Sequence, residues 1–299
     1  MELAASIILG VYMKILVIGA SGLVGNALFR AFASKHEIIG TFSAHPIGNL
    51  IRLDITNKAE VEGIFRRFMP DVVLLSAGLT NVELCEERQD LCQKINVEGT
   101  KNVVECIANL PAKLVFFSSD YIFDGRNGPY SETDTPNPIN VYGLAKLEAE
   151  TLIRNELKNY LIIRSTVIYG WEPQAKNFIM SLLKNVELGK EMRVPNDQIG
   201  TPTYAINLAE IVKELVERNK IGIYNVAGCD PVSRYDFALV AADVFGLNKR
   251  LIVPVSTVEL NQRAKRPLRA GLKIDKVCRE VSTEPVGARE GLELMKNEK

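Results

Sequence analysis

The sequence predicts a doubly wound parallel α/β sheet with a smaller C-terminal lobe. Two observations carry this. Short apolar runs alternate with helical periodicity through the first half of the 299-residue chain, and a glycine-rich turn joins the first run to the first helix. Runs at 15–18, 38–41, 72–75, 114–117 and 161–163 are short and apolar, and read as buried strands. Segments 23–33, 58–68, 91–108 and 141–155 repeat apolar residues every three or four positions and read as helices. After about Gly170 the alternation weakens. Segments 177–188 and 234–245 still read as helices, between loops marked by Pro173, Pro195, Pro202, Pro231 and Pro254. Residues 1–12 are apolar but too short to span a bilayer, and Met13-Lys14 opens the first strand. They read as an extension ahead of a natural start at Met13, with an extra packed strand or helix as the rival.

Composition excludes several classes. Lys plus Arg and Asp plus Glu number 36 each, so no net field recruits nucleic acid or an anionic membrane. Hydrophobic residues at 47% and charged residues at 24% are ordinary for a soluble globular protein. Cys85, Cys92, Cys106, Cys229 and Cys278 form no CxxC pair. Cys85 and Cys92 stand seven apart on a helical stretch, which suits one packed face better than a disulfide. With His36 and His45 as the only histidines, zinc ligand sets are absent. A reduced, cytoplasmic, metal-free protein without nucleic-acid or membrane partners is expected.

The segment Gly19-Ala-Ser21-Gly22-Leu23-Val24-Gly25 is GxxGxxG directly after a strand and opening a helix. Glycines there let the backbone turn tightly and approach a pyrophosphate, whose charge meets the helix N-terminus. A simple strand-to-helix turn is the bland alternative. The second strand ends without the Asp or Glu that would bind an unphosphorylated ribose. Ser43 and His45, helped by Arg52, are placed to accept a 2′-phosphate, which favours NADP(H) and leaves NAD(H) open. Leu53-Asp54-Ile55 closes the third strand. Asp54 is set to bond the adenine amine, or to cap the next helix. The small residues Ser76-Ala77-Gly78 end the fourth strand, where a cofactor backbone passes closely or the chain merely turns. The organisation expected is therefore an extension over 1–12, a dinucleotide-binding Rossmann domain over 13–170 to which parts of 201–228 return, and a substrate-binding lobe mainly over 171–299.

Downstream, Ser118-Ser119-Asp120 ends a strand and Tyr142 precedes Lys146 by four positions on a helix. That spacing puts both on one face, with the ammonium beneath the ring. A phenol loses its proton near pH ~10, and a nearby positive charge is expected to lower that value. Alone the pair would read as an amphipathic surface pair. In the order strand, glycine turn, Ser-ended strand, Tyr–Lys, it reads as a nicotinamide-dependent oxidoreductase.

Three blocks carry a family resemblance: the glycine turn; Ser118-Ser-Asp-Tyr-Ile-Phe-Asp-Gly125 with Pro129-Tyr-Ser-Glu132, Pro138 and Asn140-Val-Tyr-Gly-Leu-Ala-Lys146; and Asp197-Gln-Ile-Gly-Thr-Pro-Thr-Tyr204. Over residues 13 to about 276 the chain resembles the extended short-chain dehydrogenase/reductases. Within them it resembles the dTDP-4-dehydrorhamnose reductase subgroup and the similar regulatory β subunits of methionine adenosyltransferase. The resemblance implies a triad of Ser119, Tyr142 and Lys146, with Asn96 supporting Lys146 through a water. Asn96 can equally be a polar residue on a helix. Ser118 rivals Ser119, since strand alternation lets one of them face the site. The resemblance also implies reduction of a nucleotide-linked 4-keto sugar, most readily dTDP-4-dehydro-L-rhamnose, in the cytoplasm.

On the substrate side, Asp120, Tyr121 and Phe123 flank the triad, with core packing the alternative for the two rings. Asn177 and the 198–203 loop match segments lining the family's sugar cleft, and Arg266 is placed to reach a diphosphate or to stand in a solvated loop. One departure is clear: the family's sugar reductases usually carry Trp where this chain has Val167. Two other readings keep the motifs. One is a nucleotide-sugar epimerase or dehydratase with retained NAD, and the other a cofactor-binding regulatory subunit, for which the tail 287–299 is short, charged and helical. A homodimer is left open.

Overall fold

A computed structural model describes residues 12–298. The expected extension lies outside them, Tyr12 apart. The strands in chain order are β1 (Lys14–Ile18), β2 (Glu37–Phe42), β3 (Ile51–Arg52), β4 (Val72–Leu75), β5 (Lys113–Ser119), β6 (Tyr160–Ser165), β7 (Ile168–Tyr169), β8 (Met192–Pro195), β9 (Ile199–Gly200), β10 (Thr203–Tyr204), β11 (Gly222–Asn225), β12 (Val232–Ser233) and β13 (Ile252–Val255). Seven of them form one parallel sheet in the order β11-β6-β5-β4-β1-β2-β3. Strand order reverses between β1 and β4, so a crevice opens beyond their carboxyl ends.

The helices are α1 (Leu23–Phe32), α2 (Lys58–Phe68), α3 (Val82–Glu87), α4 (Gln89–Gln93), α5 (Gly99–Ile107), α6 (Val141–Glu156), α7 (Phe178–Glu187), α8 (Ala205–Glu217), α9 (Arg234–Phe245), α10 (Asp275–Glu280) and α11 (Ala288–Asn297). Because side chains alternate along a strand, each strand feeds two cores. Ile15, Val17, Leu74, Val115 and Phe117 pack on one face with Leu28 and Phe32 of α1 and Leu208 and Val212 of α8. Leu16, Ile18, Val73, Leu114 and Phe116 pack on the other with Val61 and Ile64 of α2, Val103 of α5 and Ile153 of α6. Each such apolar side chain contributes about 1.5–3 kcal/mol on burial. A third cluster joins Leu182 of α7, Phe237 and Ala241 of α9, and Leu292 and Met295 of α11 with Tyr169 and Val194. Val277 of α10 instead joins the first face.

Two elements depart from the sequence reading. The helix expected over 91–108 starts earlier, at Gln89 after the break at Arg88, and is interrupted by a π-helical turn at Lys94–Glu98 that separates α4 from α5. The third strand stops at Arg52, so Leu53-Asp54-Ile55 follows it instead of closing it.

Candidate active site

A cleft of about 620 Å³ opens at the switch between β1 and β4. Its floor is the glycine turn, and close packing there explains two of its three glycines, Gly19 and Gly25. Gly19 has φ +94°, and a Cβ on Gly25 would lie 2.1 Å from the Gly19 carbonyl oxygen. A Cβ on Gly19 would lie 2.8 Å from the Ala77 amide nitrogen after β4, and one on Gly25 would push α1 off the turn. Gly22 precedes α1 without any side-chain cap, so the helix N-terminus faces the cleft with free amides, as an anionic pyrophosphate requires. Ser21, Leu23 and Val24 line the same floor.

At the far edge of the crevice stand Ser43 and His45, beyond the end of β2, with no carboxylate in their place. Arg52 does not line the cleft. Asp54 and Ile55 line the side wall. The Asp54 carboxylate accepts the Thr56 amide and hydroxyl at 2.9 and 2.8 Å, and it is Asn57 that caps α2. Ala77 and Gly78 complete the wall after β4, together with Thr80 and Ile95, which the sequence did not single out.

The opposite end is built by β5 and α6. Asn140 caps α6 by accepting the Gly143 amide at 2.8 Å, and its amide group donates to the Lys265 carbonyl at 2.9 Å. A Cβ on Gly143 would lie 2.0 Å from the Tyr121 carbonyl oxygen, so α6 lies directly against the turn that follows β5. This brings Tyr142 to the cleft wall beside Ser119. Lys146 lies below, its Nζ 5.9 Å from the Tyr142 ring centroid, 4.8 Å from that of Phe116, and donating to the Phe117 carbonyl at 2.9 Å. Burial brings the Lys146 ammonium down to about 8. Tyr142 departs from expectation: burial, then the Asp120 charge, pushes its phenol well above its ordinary value, and the Ser119 hydroxyl within reach draws it only partly back. The phenol here is held as a proton donor.

Both serines line the cleft. Ser119 Oγ donates to Asp120 Oδ1 at 3.0 Å and accepts the Tyr121 amide at 3.2 Å, while the buried Ser118 hydroxyl makes no hydrogen bond. Strand alternation did not separate them, because β5 ends at Ser119 and the chain turns into a 3-10 helix at Asp120–Ile122. Asn96, 98% buried, sits one layer behind the wall, bonded through both amide atoms to Leu79.

On the substrate side, Asp120, Tyr121 and Asn177 reach the cleft and two expected residues do not. Phe123 is fully buried, stacked on Tyr130 at 4.2 Å with the Arg164 guanidinium 5.4 Å from its ring. It is a core residue, because the 3-10 turn rotates it away. Arg266 pairs with Glu83 at 2.8 Å outside the cleft lining, behind Tyr121, whose ring centroid lies 5.9 Å from its Cζ. Asn177 spends its polar atoms on structure, capping α7 and donating to the Gly170 carbonyl and Glu172. Arg234, Thr166 and Gln174 line the cleft unannounced by any motif. Gln174 donates to the Ser21 carbonyl at 3.2 Å and ties the loop between β7 and α7 to the glycine turn. Val167, where a Trp was looked for, also lines the cleft, at a left-handed φ of +45° that β-branched residues rarely adopt. Among the described residues, no group of three or more His, Cys, Asp or Glu could hold a metal, and no helix is long and apolar enough to cross a membrane.

Known proteins share the sequence and the fold. The chain is 34% identical over 256 residues to the spore coat polysaccharide biosynthesis protein SpsK of Bacillus subtilis (strain 168), spanning 85% of this chain and 87% of that protein. It is 26% identical over 274 residues to the methionine adenosyltransferase 2 subunit beta of Danio rerio, spanning 89% and 84%. The crystal structure of dTDP-4-dehydrorhamnose reductase from Bacillus anthracis str. Ames in complex with NADP superposes with a TM-score of 0.89 at 27% identity, covering 97% of this chain and all of that one. A model of the RmlD substrate binding domain family matches residues 13–299, and the chain belongs to that family, whose fold is the Rossmann-like one described above.

Proposed function

We propose that the chain is an NADP(H)-dependent reductase of a nucleotide-linked 4-keto sugar, with dTDP-4-dehydro-L-rhamnose as substrate. The observation that carries this reading is that Ser119 and Tyr142 stand at one end of the same cleft whose floor is the glycine turn. The dinucleotide site fits the cradle above Gly19, Gly22 and Gly25, with Ser21, Leu23, Val24, Asp54, Ile55, Ala77 and Gly78 along it and Ser43 and His45 at the ribose phosphate. When bound, the nicotinamide supplies a hydride to the carbonyl carbon. Tyr142, kept protonated by burial, gives its proton to the carbonyl oxygen. The unpartnered Ser118 hydroxyl donates to that oxygen and holds it in place, with Ser119 beside it. Lys146 holds ribose hydroxyls, and its charge favours the anion that Tyr142 briefly becomes. The sugar lies against Tyr121 and Val167, with Arg234 beyond them for an anionic group. In this reading, 13–170 with 201–228 is the cofactor domain and most of 171–299 the substrate lobe.

A cofactor-binding regulatory subunit is the second reading, and the likeness to the methionine adenosyltransferase subunit favours it. One experiment separates the two. NADPH oxidation with dTDP-4-dehydro-L-rhamnose should proceed, and Tyr142→Phe should slow it by roughly 10²–10⁴-fold while NADPH still binds. No oxidation by the wild-type protein, with NADPH bound, would favour the subunit.

A further inference from the structure

The Ser119 hydroxyl has one hydrogen, and in this structure it is given to Asp120. A hydroxyl offers one donor and two acceptor sites. With the Tyr121 amide taking one acceptor site, Ser119 keeps a single lone pair and no second hydrogen. It therefore has no hydrogen left for a substrate carbonyl. Asp120 is 96% buried, and its second oxygen accepts the Thr166 hydroxyl at 2.7 Å. No ammonium or guanidinium pairs with it, among the described residues. An ionised carboxylate can only accept hydrogen bonds, whereas a protonated one also donates. Protonation of Asp120 would thus turn the chain around, so that Asp120 donates to Ser119 and Ser119 donates into the cleft.

We propose that Asp120 is a positioning residue of this site: its carboxyl stores a proton that passes through Ser119 to the Tyr142 oxygen. The inference rests on the reductase reading. After Tyr142 yields its proton to the substrate oxygen, the phenolate takes the Ser119 hydrogen as Ser119 takes the Asp120 hydrogen. One O–H bond breaks and one forms at each oxygen pair, the negative charge ends on Asp120, and water in the cleft restores the carboxyl after product leaves. No electrons move. The surroundings suit a carboxyl that changes state near neutrality. Burial dominates and is offset by Thr166, Ser119 and the Arg234 charge from α9, which leaves Asp120 at about 6. Tyr142 faces it from α6 and Tyr121 from its own turn, both neutral phenols. Arg266 lies beyond Tyr121.

Infrared difference spectra of the NADPH-loaded protein between about pH 5 and about pH 8 test the store directly. One carboxylic C=O band should vanish with a midpoint near 6 and be missing in Asp120→Asn, which keeps the side-chain shape and cannot release a proton. Thr166→Val and Ser119→Ala each remove a donor to the carboxylate and should raise that midpoint. In NADPH oxidation with dTDP-4-dehydro-L-rhamnose, kcat should fall as pH rises through the same midpoint. Asp120→Asn should lower kcat roughly 10- to 100-fold, remove that fall, and leave KM within about threefold. A band that is absent, that titrates in the ordinary range near ~4, or that does not move in Ser119→Ala overturns the inference. If no variant oxidises NADPH, the Ser119→Ala shift alone decides the inference, and the reductase reading falls separately.

Discussion

Asn96 clasps Leu79 at two points: its Oδ1 accepts the Leu79 amide at 2.7 Å, and its Nδ2 donates to the Leu79 carbonyl at 3.0 Å. The clasp pins the Gly78–Thr80 loop, which lines the cleft, to the π-helical turn at Lys94–Glu98. A π turn gives up regular helical geometry, and such turns recur where a side chain must be set off the helical register. Gly78 makes room for the clasp, since a Cβ there would lie 2.9 Å from Asn96 Oδ1 and 3.6 Å from Lys146 Nζ.

Asn96→Ala should therefore leave a buried amide and carbonyl unsatisfied, costing roughly 2–4 kcal/mol of stability. It should also weaken NADPH binding, because the loop wall is released. Urea denaturation and fluorescence titration with NADPH measure the two effects. Weakened binding without lost stability would contradict the clasp.

Stability should depend on pH through Asp120. Its carboxyl is raised in the folded chain to about 6, chiefly by burial. A raised value means that its contribution is fully present below the unfolded carboxyl range near ~4 and is lost as pH rises through about 6. Asp120→Asn removes this loss, so it should gain on wild type by roughly 2–3 kcal/mol between about pH 4 and pH 8. The check is the difference between their urea midpoints across that range.

The Arg164–Glu150 pair is buried on both sides, with guanidinium-to-carboxylate contacts of 2.7 and 3.0 Å. It ties β6 to α6 one turn beyond Lys146. Arg164→Leu strands a carboxylate in the core and should cost roughly 3–5 kcal/mol. The double change Arg164→Leu with Glu150→Leu should recover much of that, which a thermal-denaturation cycle would read.

Cofactor choice is testable at the end of β2. Ser43→Asp puts a carboxylate where a ribose 2′-phosphate would lie and should weaken NADPH at least about tenfold while NADH improves. Equal losses for both cofactors would mean that Ser43 does not face the ribose.

The sheet and its glycine turn were legible because burial on both faces leaves apolar runs, and because Gly19 and Gly25 answer a local steric demand. Tyr142 and Lys146 were legible because four residues is one helical turn. The state of Tyr142 was not. Spacing brings Lys146 near, but the desolvation and the Asp120 charge that oppose it come from residues folded around the pair. Phe123 shows the same limit: two residues after Tyr121 it would share a strand face, but a single 3-10 turn sends it into the core. Arg234 carried no signal because a lone arginine at a helix start reads as solvated until α9 is set against the cleft. Lys94–Glu98 hid for a related reason, since a single wider turn is too short to show as a break within a long helical pattern.

Helix α11 has a further consequence. Trp171 donates to the Met295 carbonyl at 2.6 Å, the Tyr204 hydroxyl contacts Glu298, and a Cβ on Gly291 would lie 2.1 Å from the Tyr169 hydroxyl oxygen. Tyr169 and Trp171 belong to the same segment as Val167, Gln174 and Asn177 along the cleft. Helix α11 is thus a wedge behind this cleft-lining segment. Its removal would register first as a loosened ligand grip, while the parallel sheet stayed folded.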